Sequence, residues 1–233
     1  CAHTYFSLRY GTLSPAQLAE AAAAQGVKTL ALTDINNTSA GLDFVRACKT
    51  QGIKPVLGIE FRDAKHRFLF TGIARNNAGW AALCGLLTEH SLSGKPLPAV
   101  PLPINNIFIL YNREVKPLDM FHNYEFIGIR PKQAGGLFSS TWGRDLKRLV
   151  AWQPLTFLDP EGYRLHKLLR AIDANTLVTK LDTVEIAQPE EYFLPESEWQ
   201  ERFRNYPQLI QNARRLFEAC SIRFETGLQL NRR

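Results

Sequence analysis

The chain lacks the cysteine patterns of disulfide-stapled and zinc-cluster proteins. Its four cysteines are widely spaced, no CxxC pair occurs, and the sequence shows no secretory segment. This usage predicts reduced thiols and a cytoplasmic location rather than a disulfide framework or a zinc cluster. No run of apolar residues approaches the roughly 20 that a membrane-spanning helix needs, so we expect no membrane partner. Internal repeats and low-complexity segments are also missing.

Size and charge set the remaining bounds. With 233 residues, 45% of them hydrophobic, the chain can bury a full core, and one domain is the simplest organisation. Its net charge of +6 favours acidic partners, nucleic acid among them, although basic side chains most often solvate a surface. The sequence begins with Cys1 rather than methionine, which predicts a fragment of a longer protein.

Short apolar strands alternate with helices of 10–15 residues along the chain. The first helix is predicted over "SPAQLAEAAAAQG", where Ser14 suits the N-cap, Pro15 the first turn and Gly26 the stop. Further strands are predicted over KTLALTD, KPVLGIEFRD, RFLFTGIARN, NIFILY, EFIGIRP and RLVAWQPLTF. Further helices are predicted over SAGLDFVRACKTQG, NAGWAALCGLLTEH, KQAGGLFSSTWG, PEGYRLHKLLRAID and the C-terminal SEWQERFRNYPQLIQNARRLFEAC. This alternation indicates an α/β sheet or barrel.

Two segments stand out from this alternation. The proline-rich stretch from Ser91 to Asn106 is predicted to be a loop or a crossing segment. The helix over "PEGYRLHKLLRAID" is amphipathic. Its apolar face is predicted to carry Leu165, Leu168, Leu169 and Ile172.

The stretches "CAHTYFSLRYGTLSPAQLAEAA" and "ALTDINNTSAGLDFVRACKTQGIKPVLGIEF" resemble the PHP (polymerase and histidinol phosphatase) domain of the bacterial DNA polymerase III alpha subunit. The segments "IARNNAGWAAL" and "EYFLPESEW…YPQLIQNARRLFEAC" extend the resemblance. It runs from Cys1 to about Cys220 and is weakest between Ser91 and Gly143. The resemblance therefore implies a PHP domain over residues 1–220, with residues 221–233 starting a linker toward the polymerase domains.

The resemblance implies an α/β fold, a distorted (β/α) barrel of the PHP type with a C-terminal helical segment. Active members of the family hold up to three divalent metals at the carboxyl ends of the strands. Such a cluster lowers the pKa of a bridging water and neutralises a phosphoester, so that hydroxide can attack. In the polymerase, this site is associated with a proofreading exonuclease. Where the site has decayed, the domain is associated with holding a separate exonuclease subunit.

Part of the family's metal-ligand set is present in this sequence. The opening His-x-His motif reads Cys1-Ala2-His3, in which cysteine replaces the first histidine but can still bind zinc. The Gly-x-Glu motif is intact and ends in Glu60. The Asp-His motif keeps its aspartate as Asp34.

Other ligand positions are lost. Ile35 follows Asp34 where the family has histidine, and Leu69 aligns with a histidine at the start of the next strand. Pro154 aligns with the first position of the late Asp-x-His motif. None of these three side chains can bind a metal, so a polynuclear cluster is not supported. The site resembles a decayed one.

The retained residues leave alternatives open. Two carboxylates and a histidine can hold one weakly bound divalent metal, Zn or Mn, although no cofactor is expected. Alternatively, His3 forms a hydrogen bond to a carbonyl or to Asp34. Asp34 equally suits the backbone N–H groups of the following turn or a helix cap at Ser39. A buried Glu60 needs a partner, and an arginine or His3 would serve as well as a metal.

The expected function is that of a structural and subunit-docking module in a replicative polymerase, with no catalytic residue of its own. Nucleotidyl transfer would reside in segments outside this chain. Its expected partners are the rest of the polymerase chain, a proofreading exonuclease subunit and, through the full polymerase, DNA. The rival is a residual metal-dependent phosphoesterase or 3′–5′ exonuclease that uses His3, Asp34 and Glu60. A free-standing phosphatase is disfavoured by the polymerase-like "YFLPESEW".

Candidate docking anchors are large apolar residues beside arginines, since such residues often dominate interfaces. Trp142, Trp199 and Phe203 fit this description, although each ring could equally pack on its own domain. Basic residues near the C-terminus suit either DNA backbone contacts or solvated helix faces. These residues are Arg202, Arg204, Arg214 and Arg215.

Overall fold

A computed structural model describes residues 1–224, apart from the side chains of residues 141 and 144. Within this range, six strands form one sheet in sequence order. The strands are β1 (Thr29–Leu32), β2 (Lys54–Arg62), β3 (Phe68–Ala74), β4 (Ile107–Tyr111), β5 (Glu125–Ile129) and β6 (Leu149–Ala151). β3 is antiparallel to both its neighbours, and the other adjacent pairs are parallel. Five strands therefore direct their carboxyl ends to the same edge.

The N-terminal segment joins the two ends of this curled sheet. Ala2 forms parallel bridges to Leu32 at the end of β1 and to Leu155 beyond β6. The His3 N–H donates to the Leu155 carbonyl at 2.7 Å, and the Thr33 N–H donates to the Ala2 carbonyl at 2.8 Å. The predicted α/β fold, a distorted barrel of the PHP type, is confirmed.

Seven α-helices lie in the described part of the chain. They are α1 (Pro15–Ala24), α2 (Gly41–Thr50), α3 (Asn77–Ser93), α4 (Pro131–Ala134), α5 (Gly162–Asp173), α6 (Glu196–Arg202) and α7 (Pro207–Glu218). The predicted start of α1 is confirmed, because Ser14 forms a capping box with Gln17 and Pro15 occupies the first turn. The predicted stop is also confirmed, since Gly26 has a φ of 72° that only glycine adopts without strain. None of these helices is long and apolar enough to cross a bilayer.

Alternation along the strands divides the hydrophobic core into two layers. On β2, Leu57 and Ile59 pack in the larger cluster, between the sheet and the helices. Val56 belongs to the inner cluster, which residues of α7 such as Leu216 complete. The side chain of Glu60 follows the same alternation as Val56. The sheet therefore brings this carboxylate to the inner face, at the carboxyl end of β2.

Two predicted elements are wrong in extent. The helix predicted over "KQAGGLFSSTWG" ends at Ala134 and is followed by short 3-10 turns, because Gly135 and Gly136 have little helix propensity. The strand predicted over "RLVAWQPLTF" is limited to β6, and Leu155 forms only an isolated bridge. The predicted interruption of the C-terminal helix at Pro207 is confirmed, since α7 begins there.

The C-terminal part of the predicted linker, residues 225–233, lies outside the described residues. Before it, the Ser221 N–H donates to the Arg75 carbonyl at 2.8 Å and the Arg223 N–H donates to Asn77 Oδ1 at 3.0 Å. Ile222 is buried in the larger cluster between the sheet and the helices. Residues 221–223 are thus attached to the start of α3.

Candidate functional site

A polar cavity of about 310 Å³ lies at the carboxyl ends of β2, β4, β5 and β6. Glu60 and Arg62 border it from β2, and His3 borders it from the N-terminal segment. Gly58 is required two positions before Glu60, because a side chain there would collide with the Gly72 carbonyl of the adjacent β3. The glycine of the Gly-x-Glu motif therefore has a packing role, and the glutamate reaches the cavity.

Glu60 is almost completely buried and has two partners. Its Oε2 lies 3.1 Å from His3 Nε2, and its Oε1 accepts from Arg62 Nε at 2.7 Å. Burial by itself would raise the pKa of Glu60, but the charges of Arg62 and His3 and their hydrogen bonds lower it to about 2. The carboxylate is therefore ionised, and each of its oxygen atoms faces a basic side chain.

Each ring nitrogen of His3 has a partner within the protein. Thr156 Oγ1 donates its single proton to Glu191 Oε2 at 2.6 Å. The same hydroxyl lies 3.0 Å from His3 Nδ1, so it can only accept there. On the other side of the ring, Nε2 faces the carboxylate of Glu60 at 3.1 Å. Both ring nitrogens of His3 are therefore engaged within the protein.

Arg62 completes the arrangement and was not among the predicted site residues. Besides Glu60, its guanidinium donates to the Tyr10 hydroxyl at 3.0 Å and lies 4.4 Å from the centre of that ring. Burial opposes its charge, but Glu60 and then Tyr10 outweigh this and hold the pKa of Arg62 above its ordinary value. The sequence did contain a signal for Arg62. It lies two positions after Glu60 on a predicted strand, and residues two apart on a strand share a face.

A second buried carboxylate, Glu191, was also missed. Its Oε1 accepts from Arg130 Nη1 at 2.9 Å, and its Oε2 accepts from Thr156. Glu191 reaches the cavity from an irregular segment before α6, so neither strand alternation nor helix spacing indicated it. A network of ion pairs and hydrogen bonds therefore links Arg62, Glu60, His3, Thr156 and Glu191 in series at the cavity.

Asp34 lies outside this network. Its Oδ1 accepts from the Thr4 N–H and the Ser7 hydroxyl, both at 2.7 Å, and its Oδ2 accepts from the Thr4 hydroxyl at 2.8 Å. The structure thus joins His3 to Glu60 directly, while Asp34 anchors the loop that follows His3. The Asp34 carboxylate therefore accepts from Thr4 and Ser7, and not from the turn after β1 or from the helix start at Ser39.

The remaining predicted positions occupy different environments. Cys1 borders a separate apolar cavity of about 270 Å³. Ile35 packs against a small cluster that contains Tyr10, and Pro154 borders the polar cavity. Leu69 has no partner in the β2–β3 register, which shifts between Phe61 and Arg62. At this β-bulge, Leu69 packs against the larger cluster between the sheet and the helices. Its neighbour Phe68 borders the polar cavity.

In this arrangement the residues do not fit a divalent metal. A metal ion would need the Glu60 oxygens that contact Arg62 and His3, and a ring nitrogen of His3 that already has a partner. Asp34 has its own three donors. Within residues 1–224, no group of three or more histidine, cysteine and acidic side chains has a geometry suited to a metal.

The predicted docking anchors pack within the domain. Phe203 is fully buried, and its ring centre lies 5.0 Å from that of Trp199, which is partly buried in the same core. Trp142 donates its indole N–H to Glu114 at 2.8 Å. For Phe203, the alternative that the ring packs on its own domain is the one observed, because the core removes it from solvent.

The C-terminal arginines mostly pair with nearby carboxylates. The pairs join Arg202 to Glu198, Arg204 to Glu201 and Arg214 to Glu196. Exposed pairs of this kind contribute little stability. They favour solvated helix faces over a dedicated phosphate-binding surface.

The profile of the PHP domain family matches residues 2–119, just over half of the sequence. The chain belongs to this family. Among curated proteins, the DNA polymerase III subunit alpha of Halalkalibacterium halodurans is 27% identical over 265 aligned residues, and that of Neisseria meningitidis serogroup A is 24% identical over 268. An error-prone DNA polymerase from Corynebacterium diphtheriae is 31% identical over 106 residues, which cover 46% of this chain and 10% of that protein.

The two alpha subunits match 97% of this chain, but the chain spans only 23% of their length. The resemblance to the PHP domain of DNA polymerase III subunit alpha is therefore confirmed. It concerns about a quarter of each of those proteins.

Proposed function

We propose that this chain is the PHP domain of a replicative DNA polymerase III alpha subunit, working as a structural and docking module without a catalytic centre of its own. The similarity over nearly the whole chain to two such subunits supports the placement. The rest of the polymerase, a proofreading exonuclease subunit and, through the polymerase, DNA are the partners in this proposal.

One observation carries the non-catalytic part of the proposal. Arg62 and His3 each contact one oxygen of the Glu60 carboxylate within hydrogen-bond distance. The Arg62 guanidinium and the His3 imidazole bind the Glu60 carboxylate, which would otherwise be available to a metal ion. Metal-assisted hydrolysis needs a cation that activates water and polarises the phosphoester. Here the positive charges are fixed in protein side chains, and these hold no water as hydroxide. The ancestral phosphoesterase site has, in this proposal, become a structural ion-pair network.

The test of this part combines metal analysis with activity. We expect the purified full-length protein to hold less than one zinc or manganese ion per PHP domain after dialysis. Phosphatase and 3′–5′ exonuclease activities should be equal in the wild type and in Glu60→Gln. A matched control is Glu125→Gln, because Glu125 is also buried and hydrogen-bonded but lies in a separate cluster with Tyr111 and Lys116.

Two results would contradict the proposal. One is two or more tightly held metal ions per domain. The other is hydrolysis that Glu60→Gln abolishes and Glu125→Gln leaves intact. Either would favour the residual phosphoesterase or exonuclease.

The docking part is tested by removing the domain. Deletion of residues 1–220 from the full-length protein should lower the unfolding temperature of the remainder or weaken its association with the proofreading subunit. Nucleotidyl transfer on a primed template provides the reference activity. Unchanged stability together with unchanged association would refute the docking role.

A further inference from the structure

The boundary between β1 and β6, which we call the seam, is bridged at one end. Ala2 forms its two parallel bridges there, to Leu32 at the carboxyl end of β1 and to Leu155 beyond β6. Toward the amino ends of the two strands, the seam opens into the apolar cavity of about 270 Å³ that Cys1 borders. Residues of both edges line this cavity, namely Thr29, Leu30, Ala31, Val150, Ala151, Trp152 and Gln153.

The β1 edge of the cavity carries a buried backbone N–H group without an acceptor. The Thr33 N–H donates to the Ala2 carbonyl at 2.8 Å, and alternate residues of a strand direct their N–H groups to the same side. The Ala31 N–H therefore points into the seam as well. Ala31 is 1% exposed, and its N–H has no acceptor in the part of the chain that the structure describes. Because buried N–H groups without a partner are rare, this position calls for an acceptor from another segment.

The opposite edge of the seam shows the same arrangement. The Leu155 N–H donates into the seam, to the Cys1 carbonyl at 2.8 Å, whereas the Trp152 N–H donates away from it, to the Ile129 carbonyl of β5 at 2.9 Å. The Gln153 N–H alternates with that of Trp152 and therefore points into the seam, where it has no acceptor within residues 1–224. Two unpaired donors thus face an apolar gap from its two sides.

An extended backbone segment fits this gap. Its carbonyls can accept from both edges, and its own N–H groups can donate to the carbonyls of the same edges. Its side chains alternate between the two faces of the sheet, and the cavity is apolar on both. Leu216 of the inner cluster lines one side, and Trp199 and Ile210, which pack on the larger cluster, line the other.

The direction of the N-terminal segment determines which backbone reaches the gap. Ala2 is parallel to both edges, so a chain extended backward from Cys1 runs toward the amino ends of β1 and β6. In this register, the residue directly before Cys1 lies between Leu30 and Gln153, and its carbonyl accepts from the Ala31 N–H. The carbonyl of the residue before that one accepts from the Gln153 N–H. Both unpaired donors are satisfied by the same extension.

We propose that the residues preceding Cys1 in the parent protein form an additional strand that closes the seam between β1 and β6. This inference rests on the proposed place of the chain in a longer polymerase. The first residue before Cys1 projects toward the larger cluster, as Ala2 does, and the second projects toward the inner cluster, as Cys1 does. Both positions therefore require apolar side chains, as is typical of strands covered on both faces.

Disulfide trapping in the full-length protein tests this register. In a Cys1→Ser background, a cysteine placed directly before position 1 is combined with Leu30→Cys, its neighbour on the same face. Adjacent strands lie close enough for a disulfide. The matched control combines the same cysteine with Ala31→Cys, one position along and on the opposite face. We expect the Leu30→Cys pair to crosslink at least tenfold faster under mild oxidation, measured by peptide mass spectrometry.

Hydrogen exchange provides a measurement that needs no introduced cysteine. The Ala31 and Gln153 amides should exchange at least tenfold more slowly in the full-length protein than in a version that starts at Cys1. The Trp152 amide is the control, because its hydrogen bond to Ile129 is independent of the seam and should protect it equally in both proteins.

Equal crosslinking of the two cysteine pairs, no crosslink at all, or rapid exchange of the Ala31 and Gln153 amides in the full-length protein would each overturn the inference. Protection that persists when the residues before Cys1 are removed would also overturn it, because another segment or protein would then fill the seam. So would a parent protein with fewer than two residues before Cys1. The docking role is judged separately, by deletion of residues 1–220. If that deletion weakens association while the crosslink fails, the docking role stands and the additional strand is rejected.

Discussion

Arg62 Nε lies 2.7 Å from Glu60 Oε1, between two residues that are neighbours on the same face of β2. This pair joins the one intact metal-ligand motif of the chain to an arginine at the end of the same strand. His3 contacts the other carboxylate oxygen. Both oxygens of Glu60 therefore have protein partners, and no metal ion is needed to balance the carboxylate.

Replacing Arg62 with methionine should destabilise the domain by about 3–5 kcal/mol, because it leaves a buried carboxylate without its guanidinium partner. Urea unfolding at neutral pH measures the change. The double variant Glu60→Gln/Arg62→Met removes both charges and should be less destabilised than Arg62→Met alone. If the double variant loses as much stability as the two single variants combined, the charges do not act as a coupled pair.

Asp34 should behave as a structural carboxylate. Asp34→Ala removes the acceptor for the Thr4 N–H and for the hydroxyls of Thr4 and Ser7, and we expect a loss of about 2–4 kcal/mol. Asp43→Ala provides the control on an exposed carboxylate of α2, where the effect should be within about 0.5 kcal/mol. Equal unfolding free energies for the two variants would contradict this role of Asp34.

The stability of the domain should fall in mild acid because of His166. Burial lowers the pKa of His166 to about 4, against an ordinary value of 6.5. The unfolded chain therefore binds a proton between pH 6.5 and pH 4 that the folded chain excludes. Stability from this residue is present above pH 6.5 and declines by about 1.4 kcal/mol per pH unit as the pH falls toward 4.

The substitution His166→Gln removes this proton linkage. The stability difference between the wild type and His166→Gln should therefore shrink by about 3 kcal/mol between pH 7 and pH 4. His122→Gln, at an exposed position, is the control. A difference that stays constant over this pH range would show that the imidazole of His166 is not excluded from protonation.

Metal removal should leave the fold unchanged. Dialysis against a chelator, or addition of excess zinc or manganese, should shift the unfolding temperature by less than about 1 °C. A metal held at 100 times its dissociation constant would contribute about 2.7 kcal/mol. For a domain of this size, losing it would lower the unfolding temperature by roughly 5–10 °C. A shift of that size on chelation, reversed by zinc, would show that a metal is part of the folded domain.

Local patterns predicted the elements of this fold well, and long-range contacts account for what they missed. Ser14, Pro15 and Gly26 specify the ends of α1 through interactions within a few residues. The partner of Glu60 at position 62 was accessible in principle from strand alternation. Glu191 was not, because an irregular segment brings it to the cavity and no local periodicity describes such a segment.

The orientation of α5 was missed for the same reason. Its helical spacing correctly placed Leu165 and Leu168 on one side, but that side is exposed. Which side is buried depends on the backbone groups of Tyr10 and Ala187, which form hydrogen bonds with His166. These groups are distant in sequence from the residues of α5 that they bind. A pattern of hydrophobic residues carries no information about them.

The closure of the barrel through Ala2 also constrains how this chain folds as it is synthesised. His3 leaves the ribosome well before Thr156, a residue 153 positions later that it contacts. At ordinary translation rates this interval lasts roughly 8–30 s. During that time Ala2 can pair with Leu32 of β1 but not with Leu155. The barrel therefore stays open while the other strands assemble. Barrel closure is therefore a late event in the synthesis of this domain, and residues 1–3 must stay free of other partners until Leu155 is available.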